Sequence, residues 1–177
     1  MTIYSDSSIL TDGDMKFLLN LLPNNLEPLP DIYLFEDCQS VVSLIGAHAS
    51  LFERYSLLKS IIQNCVFSTF NFKHNIIFLY LFNLPYKDKH LVKLHGAYCL
   101  FHEIRHHQQF SLNKQQFHSY SLNSGPYSQQ WVEKDANQFA VRWMRKNQKS
   151  INKKFHLSHS SWDIRVNEHN RLRIVAH

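Results

Sequence analysis

The sequence has few cysteines and no long apolar run, and each shortage excludes a class of protein. Its three cysteines, Cys38, Cys65 and Cys99, are odd in number and widely spaced, which argues against a disulfide framework or a cysteine-type zinc knuckle. The most apolar stretch, 76–84, covers about nine residues, whereas a membrane-spanning helix needs roughly twenty. The N-terminus has no basic start followed by an apolar segment, so no targeting signal is predicted and we expect a cytoplasmic protein with no membrane partner.

What the sequence does contain is the composition of an ordinary globular domain. It has 177 residues, of which 44% are hydrophobic and 19% charged. This length suits one domain with its own core, since domains commonly have about 100 to 200 residues. No repeat, linker or boundary divides the chain, so 1–177 is predicted to be a single domain. The net charge of +5 is spread over short basic runs, which disfavours a nucleic acid as partner.

Hydrophobic periodicity predicts a chain of both strands and helices, with a long helix beginning near residue 90 and a second helix after it. A capping box at Thr11 and Asp14 indicates an N-terminal helix over 12–22. The polar segment 111–128 is predicted to be a long loop, which in a compact domain is more often functional than accidental. The other predicted elements are a strand at 32–36, helical structure over 40–64, a β-hairpin from 65–72 and 75–84, a helix at about 90–110, a second helix at about 128–147 capped by Ser128, and a C-terminal hairpin at about 162–176.

Histidine is the one residue type in clear excess, with twelve in the chain and six of them between His90 and His118. Within that stretch HEIRH, from His102 to His106, is an H-E-x-x-H motif inside a predicted helix. The i, i+4 spacing places both imidazoles on one helix face about a turn apart, so both can reach one zinc ion. Glu103 is rotated by about 100° from His102, which lets it act as general base on a metal-bound water without being a ligand.

A catalytic zinc needs a third protein ligand, and the predicted helix after the loop carries one. Glu133 follows His106 across a loop long enough to bring the second helix against the first. Asn137 lies one turn beyond Glu133 on the same face, where we expect it to hydrogen-bond the far nitrogen of a ligating histidine. Small side chains at Ala136 and Ala140 would let the two helices approach closely enough to share one ion.

The segments HEIRH and EKDANQFA together resemble the ImmA/IrrE-type zinc metallopeptidases, in which an HExxH helix is followed by a helix with an E-x-E-A-N-x-F-A-like pattern. The resemblance covers 102–140 in detail. It implies a compact α+β zincin fold of the gluzincin kind, with a small mixed sheet packed on the HExxH helix and a second helix that carries a ligand. In this fold His102, His106 and Glu133 would bind zinc and Glu103 would be the base. It also implies an intracellular peptidase that acts on a protein substrate, such as a repressor or another regulator.

Two residues depart from the family pattern. Arg105 stands where a glycine usually precedes the second histidine, and Asp135 stands where glutamate is commoner. A long cation beside His106 either points outward or modifies the site. A second hypothesis is therefore a catalytically silent zincin scaffold that binds a regulatory or host protein, with the positive net charge steering an acidic partner. Nucleic-acid binding is a third and weaker hypothesis.

Three features of the site stay open at the level of sequence. Tyr120, Tyr127 and His169 are candidates for stabilising an oxyanion, and the sequence does not choose among them. Two histidines and a carboxylate also suit iron or manganese, although zinc is the metal expected. His95 and His107 lie close to the motif and are predicted to have packing or surface roles.

Overall fold

The computed structural model of the chain describes residues 1–5, 7–23, 28–45, 51–115, 117, 130–157, 162–166 and 172–176. Within these ranges the chain forms, in order, β1 (Ile3–Ser5), α1 (Asp12–Asn20), β2 (Asp31–Phe35), α2 (Cys38–Ile45), α3 (Leu51–Gln63), β3 (Ser68–Asn71), β4 (Ile76–Tyr80), α4 (Lys89–Leu112), α5 (Trp131–Lys146), α6 (Gln148–Phe155), β5 (Trp162–Val166) and β6 (Leu172–Ala176). None of the helices in the described ranges is long and apolar enough to cross a membrane.

Four strands form a small mixed sheet in the order β1-β2-β4-β3. Strand β2 is parallel to both β1 and β4, whereas β3 pairs antiparallel with β4 at one edge. Because side chains alternate along a strand, one face of the two central strands is wholly aliphatic and buried, with Ile32, Leu34, Ile77 and Leu79 each at most 2% exposed. These side chains belong to the main core, together with the buried apolar residues of α4.

Helix α4 is the central helix of the domain and is buried along most of its length. It begins after Asp88, whose side chain accepts a hydrogen bond from the backbone N–H of His90. Gly96 permits a close approach of neighbouring segments, because a Cβ there would lie 3.0 Å from the side chain of Leu10 and 3.2 Å from that of Leu81. A polar residue in the middle of this helix is therefore held in surroundings largely closed to water.

Helix α5 packs directly against α4. Ala136 and Ala140 are fully buried, as expected for small side chains that let two helices approach closely. The indole N–H of Trp143 donates a hydrogen bond of 3.1 Å to the Leu21 carbonyl and so ties α5 to the end of α1. This packing places the first turn of α5 beside the middle of α4.

The structure confirms the α+β class and most of the predicted elements. The capping box of Thr11 and Asp14 is formed by both of its hydrogen bonds, although the helix ends at Asn20. The two predicted hairpins form β3 with β4 and β5 with β6. Strand β1 and helix α6 were not predicted: β1 has only three residues and is stabilised by pairing with β2, and α6 is separated from α5 by Asn147 alone.

His95 is a buried histidine of α4 outside the motif, which agrees with its predicted packing role. Its ring is 2% exposed and lies against the rings of Phe67, Tyr86 and Tyr98, at 5.1, 5.6 and 6.1 Å between centroids. Its Nδ1 has no hydrogen-bond partner among the described residues. Burial lowers the pKa of His95 from 6.5 to about 4, so the ring is neutral in the folded protein at pH 7.

We expect this histidine to make the protein sensitive to mild acid. The unfolded chain binds the proton near pH 6.5 and the folded chain only near pH 4, so the free energy of unfolding falls as the pH decreases through this window. At pH 5 the loss attributable to His95 is about 2 kcal/mol. Denaturant unfolding in the presence of a metal chelator would give the free energy of unfolding at pH 7.5 and at pH 5. The two values should differ less for His95→Phe than for wild type. The control His90→Phe, at an exposed position of the same helix, should retain the wild-type difference; equal differences for all three proteins would contradict the assignment.

Candidate metal centre

The H-E-x-x-H motif lies in the enclosed middle of α4. His102 and His106 are 9% and 5% exposed, and their separation by one helical turn leaves 4.6 Å between the ring centroids. The two Nε2 atoms are 3.0 Å apart. Two histidine nitrogens therefore face the same point inside the protein.

Glu133 brings a carboxylate to that point from the first turn of α5. Its Oε2 lies 3.3 Å from Nε2 of His102, and its Oε1 lies 3.3 Å from Nε2 of His106. The side chain is also buried, with 5% of the residue exposed. The three side chains form a buried group that could hold a metal ion.

The spacing of these atoms fits one small cation. Zinc lies about 2.0–2.1 Å from nitrogen and oxygen ligands in a tetrahedral arrangement, which separates neighbouring ligand atoms by about 3.3 Å. In the cluster the two Nε2 atoms are 3.0 Å apart, and each of them lies 3.3 Å from a different oxygen of Glu133. Within the described part of the chain no other histidine, cysteine or acidic side chain joins the group, and three protein ligands are the number typical of a catalytic zinc. The same donors also suit iron or manganese.

The electrostatics of the group favour a positive charge at its centre. Burial alone would lower the pKa of His106, but the hydrogen bond to Glu133 and the charges of Glu103 and Glu133 raise it to about 9. Burial alone would raise the pKa of Glu133, but hydrogen bonds from His102 and His106 hold it well below its usual range. The cluster therefore favours a cation at its centre, and a divalent metal ion can supply this positive charge in place of a proton.

Gln109 determines which nitrogen of His106 is free to bind a metal. The amide Nε2 of Gln109 lies 3.0 Å from the Val132 carbonyl and 2.8 Å from Oδ2 of Asp135, and both of these atoms are acceptors. The amide nitrogen must therefore face them, which turns Oε1 of Gln109 toward Nδ1 of His106 at 2.8 Å. Nδ1 must then carry a hydrogen, so in the neutral ring that a metal would bind, the lone pair is on Nε2 and points at the metal position.

Replacing Gln109 with leucine should weaken zinc binding without unfolding the chain. Loss of the amide removes the acceptor that orients the His106 ring, and such supporting contacts commonly change metal affinity by about 10- to 100-fold. Competition with a chromophoric chelator would measure the affinity of Gln109→Leu, with Gln138→Leu, an exposed position of α5, as the matched control. Equal zinc affinities in the two variants would show that Gln109 does not support the ligand.

Asn137 does not make the contact expected of it within the described residues. Its Oδ1 accepts a hydrogen bond from the hydroxyl of Tyr98 on α4, and burial raises the pKa of Tyr98 so that the phenol stays a donor. The Nδ1 of His102 is buried without a hydrogen-bond partner among the described residues, and Nδ1 of His106 faces Gln109. Asn137 lies on the expected helix face, but the nearby phenol occupies its oxygen.

Glu103 lies beside the ligand group and is not part of it. The residue is 4% exposed, and its Oε1 accepts a hydrogen bond of 2.6 Å from Oγ of Ser68 on the edge strand β3. Its negative charge contributes to the raised pKa of His106. Glu103 is thus a buried carboxylate next in sequence to His102 and outside the group that could hold a metal, and a carboxylate so placed can act as a general base.

The two residues that depart from the family pattern bind each other. Nε of Arg105 donates a hydrogen bond of 2.6 Å to Oδ2 of Asp135, and the guanidinium lies 5.6 Å from the centre of the Phe139 ring. Burial alone would raise the pKa of Asp135, but hydrogen bonds from Arg105 and Gln109 lower it. The Arg105 cation is thus engaged on α5 and bridges the two helices that carry the ligands.

Some predicted features fall outside the described residues, and two contacts of the site were missed. Tyr120, Tyr127 and His169 lie outside, with Ser128 and most of the loop predicted over 111–128.

Gln109 was missed although it follows His106 by three residues, a spacing that places both on one helix face. Ser68 carried no signal in the sequence, because its contact requires the hairpin to pack on α4.

No family model, curated protein or solved structure matches this chain. The resemblance to ImmA/IrrE-type peptidases therefore depends on the segment 102–140 alone. The function has to be argued from the chemistry of the site.

Proposed function

We propose that the protein is a zinc-dependent metallopeptidase that hydrolyses a peptide bond in a protein substrate. The observation that carries this proposal is the buried cluster of His102, His106 and Glu133, in which the two Nε2 atoms are 3.0 Å apart and each lies 3.3 Å from a Glu133 oxygen. Glu103 lies next to the cluster without joining it. The resemblance of 102–140 to a peptidase family supports the same function, and it suggests a repressor or another regulator as substrate. The three cysteines are free, which suits a cytoplasmic protein.

The proposed chemistry assigns a separate task to each side chain. His102 and His106 would hold zinc through Nε2, and Glu133 would hold it through its carboxylate. Bound zinc supplies a Lewis acid that lowers the pKa of a coordinated water to near 7. Because Ser68 occupies Oε1 of Glu103, Oε2 would accept the proton of that water and later deliver it to the leaving amine.

The alternative of a catalytically silent scaffold depends on Arg105. Its guanidinium contacts Asp135, Gln108 and Phe139, and all three contacts direct it along α4 and onto α5. A cation neutralised in this way gives no separate support to a scaffold. The cluster and its neighbouring carboxylate therefore favour the peptidase.

A substrate-independent assay tests this proposal. Protein purified without chelator should contain about one zinc per chain. Incubation with a library of peptides from a digested proteome, followed by mass spectrometry of new termini, should reveal cleavage that chelation abolishes and zinc restores. Stoichiometric zinc without any zinc-dependent new termini would favour the scaffold, and absence of bound metal would overturn the proposal.

A further inference from the structure

One face of α5 carries a row of cations beside an open groove. The groove has a volume of about 1080 Å³ and lies between α5 and β5. Its lining includes five basic residues, Lys134, Arg142, Arg145, Lys146 and Arg165. The residues of α5 that line the groove recur every three or four positions from Lys134 to Lys146, so the four basic ones among them lie in one stripe along the helix.

Few carboxylates of the described residues neutralise this stripe. Asp163 lies 3.0 Å from Arg145 and 3.0 Å from Arg165 and therefore serves both. Lys134 and Arg142 make no ion pair with any described carboxylate, and both are exposed. The nearby acidic residues of α5 are engaged elsewhere, with Glu133 in the metal cluster and Asp135 on Arg105.

Helix stability accounts for only part of the stripe. Cations at the C-terminal end of a helix, such as Arg145 and Lys146, are favourable through the helix dipole. Lys134 is near the N-terminal end, where a cation is unfavourable, and Arg142 and Lys146 form a like-charge i, i+4 pair. A row of charges that costs the isolated helix stability is better explained by an anionic ligand than by folding.

The groove begins beside the metal cluster. Asn137 lines it and lies one helical turn from the ligand Glu133. From Lys134 to Lys146 the stripe extends for about 18 Å along α5, the length of about five residues of extended polypeptide. We propose that this groove binds an acidic segment of the substrate protein, which continues from the peptide bond held at the metal centre. This inference rests on the proposed peptidase function, since it names a class of substrate for that site.

An acidic polypeptide fits the groove better than a nucleic acid does. The stripe covers one face of a single helix over about 18 Å, which is a small surface. Specific DNA interfaces usually bury about 1,000–2,500 Å² of protein surface. Among the described residues lining the groove there is no aromatic side chain on which a base could stack, as single-strand binding commonly requires. The lining instead combines cations with the amides of Asn137 and Gln138, which suit carboxylates and backbone carbonyls.

Binding of fluorescein-labelled hexaglutamate, followed by anisotropy, tests the groove in the full chain with metal removed by a chelator. We expect affinity to fall steeply between about 50 and 200 mM salt. Lys134→Glu/Arg142→Glu should weaken binding by about tenfold or more, because charge reversal opposes the ligand. Lys59→Glu/Lys87→Glu, at exposed positions of other segments, carries the same change in net charge and should bind nearly as wild type. The neutral variant Lys134→Gln/Arg142→Gln should be intermediate, and melting curves establish that each protein is folded.

The outcomes separate this inference from the proposed function. Equal loss of binding in the groove and control variants would show a non-specific charge effect and overturn the inference. Tighter binding of hexathymidylate than of hexaglutamate, with loss in the groove variant, would assign the groove to nucleic acid and also overturn it. The assay needs no metal, so if the protein binds no zinc, the peptidase proposal fails and binding to the groove can still be measured. If zinc binds but the groove does not bind hexaglutamate, only the proposal of an acidic substrate segment fails.

Discussion

Glu133→Ala should lose zinc binding by roughly two to three orders of magnitude while the chain stays folded. Structural zinc sites with four ligands bind with about 10–16 kcal/mol, or about 2.5–4 kcal/mol for each ligand. Glu133 contributes the only carboxylate of the described cluster, and its oxygens lie 3.3 Å from both ligand nitrogens. Its removal leaves two imidazoles, which cannot enclose the ion. Metal analysis and calorimetric titration with zinc would measure the loss.

The control for this variant is Gln138→Ala, at an exposed position five residues further along α5. It should bind zinc as wild type does, and zinc should raise its melting temperature by an amount that grows with the logarithm of the ratio of zinc concentration to Kd. Glu133→Ala should show no such rise at the same zinc concentration. Wild-type zinc affinity in Glu133→Ala would mean that the metal binds elsewhere, and the assignment of the centre would be wrong.

The ligand group could be predicted because its information is mostly local. His102 and His106 share a helix, so their spacing alone places the two rings together once the helix is formed. Glu133 needed one further step, the return of a second helix whose small residues allow close packing. The buried face of that helix has the period of an amphipathic helix, so its direction could be read from the sequence.

The contacts that support the ligands depend on tertiary packing. Gln109 orients His106 only because Val132 and Asp135 of another helix supply two acceptors to its amide. Asn137 shares the predicted face with Glu133, but the hydroxyl of Tyr98 takes its oxygen. The pattern of residues within one helix does not show which side chain of the neighbouring helix will hydrogen-bond to such a group.

Arg105 and Asp135 are a further pair whose contact the sequence does not show. Each is a separate departure from the family pattern in the sequence, and each considered alone raises doubt about the site. In the structure they form one ion pair between α4 and α5, and Asp135 also holds Gln109. The two departures therefore form one local arrangement that connects the Arg105 cation, through Asp135 and Gln109, to the ring of His106.

Glu103→Gln should abolish peptide cleavage while zinc stays bound. An amide of the same shape cannot accept a proton, and loss of a general base commonly lowers the rate by about 10²- to 10⁴-fold. Glu103 is not a member of the ligand group, so the metal content should remain about one per chain. Cleavage of the proteome-derived peptide library, with zinc measured on the same sample, would check both expectations.

Ser68→Ala provides the graded comparison, because it keeps the carboxylate of Glu103 and removes only the hydroxyl that holds Oε1. A hydrogen bond to a charged group contributes about 1.5–3 kcal/mol, so we expect kcat to fall by about 10- to 100-fold, with KM little changed. Ser68 would then be a positioning residue and Glu103 the catalytic one.

Wild-type cleavage by Glu103→Gln would remove Glu103 from its role as base. Loss of zinc from Glu103→Gln would instead show that this carboxylate supports the metal, and the division of tasks between the ligands and the base would have to be abandoned.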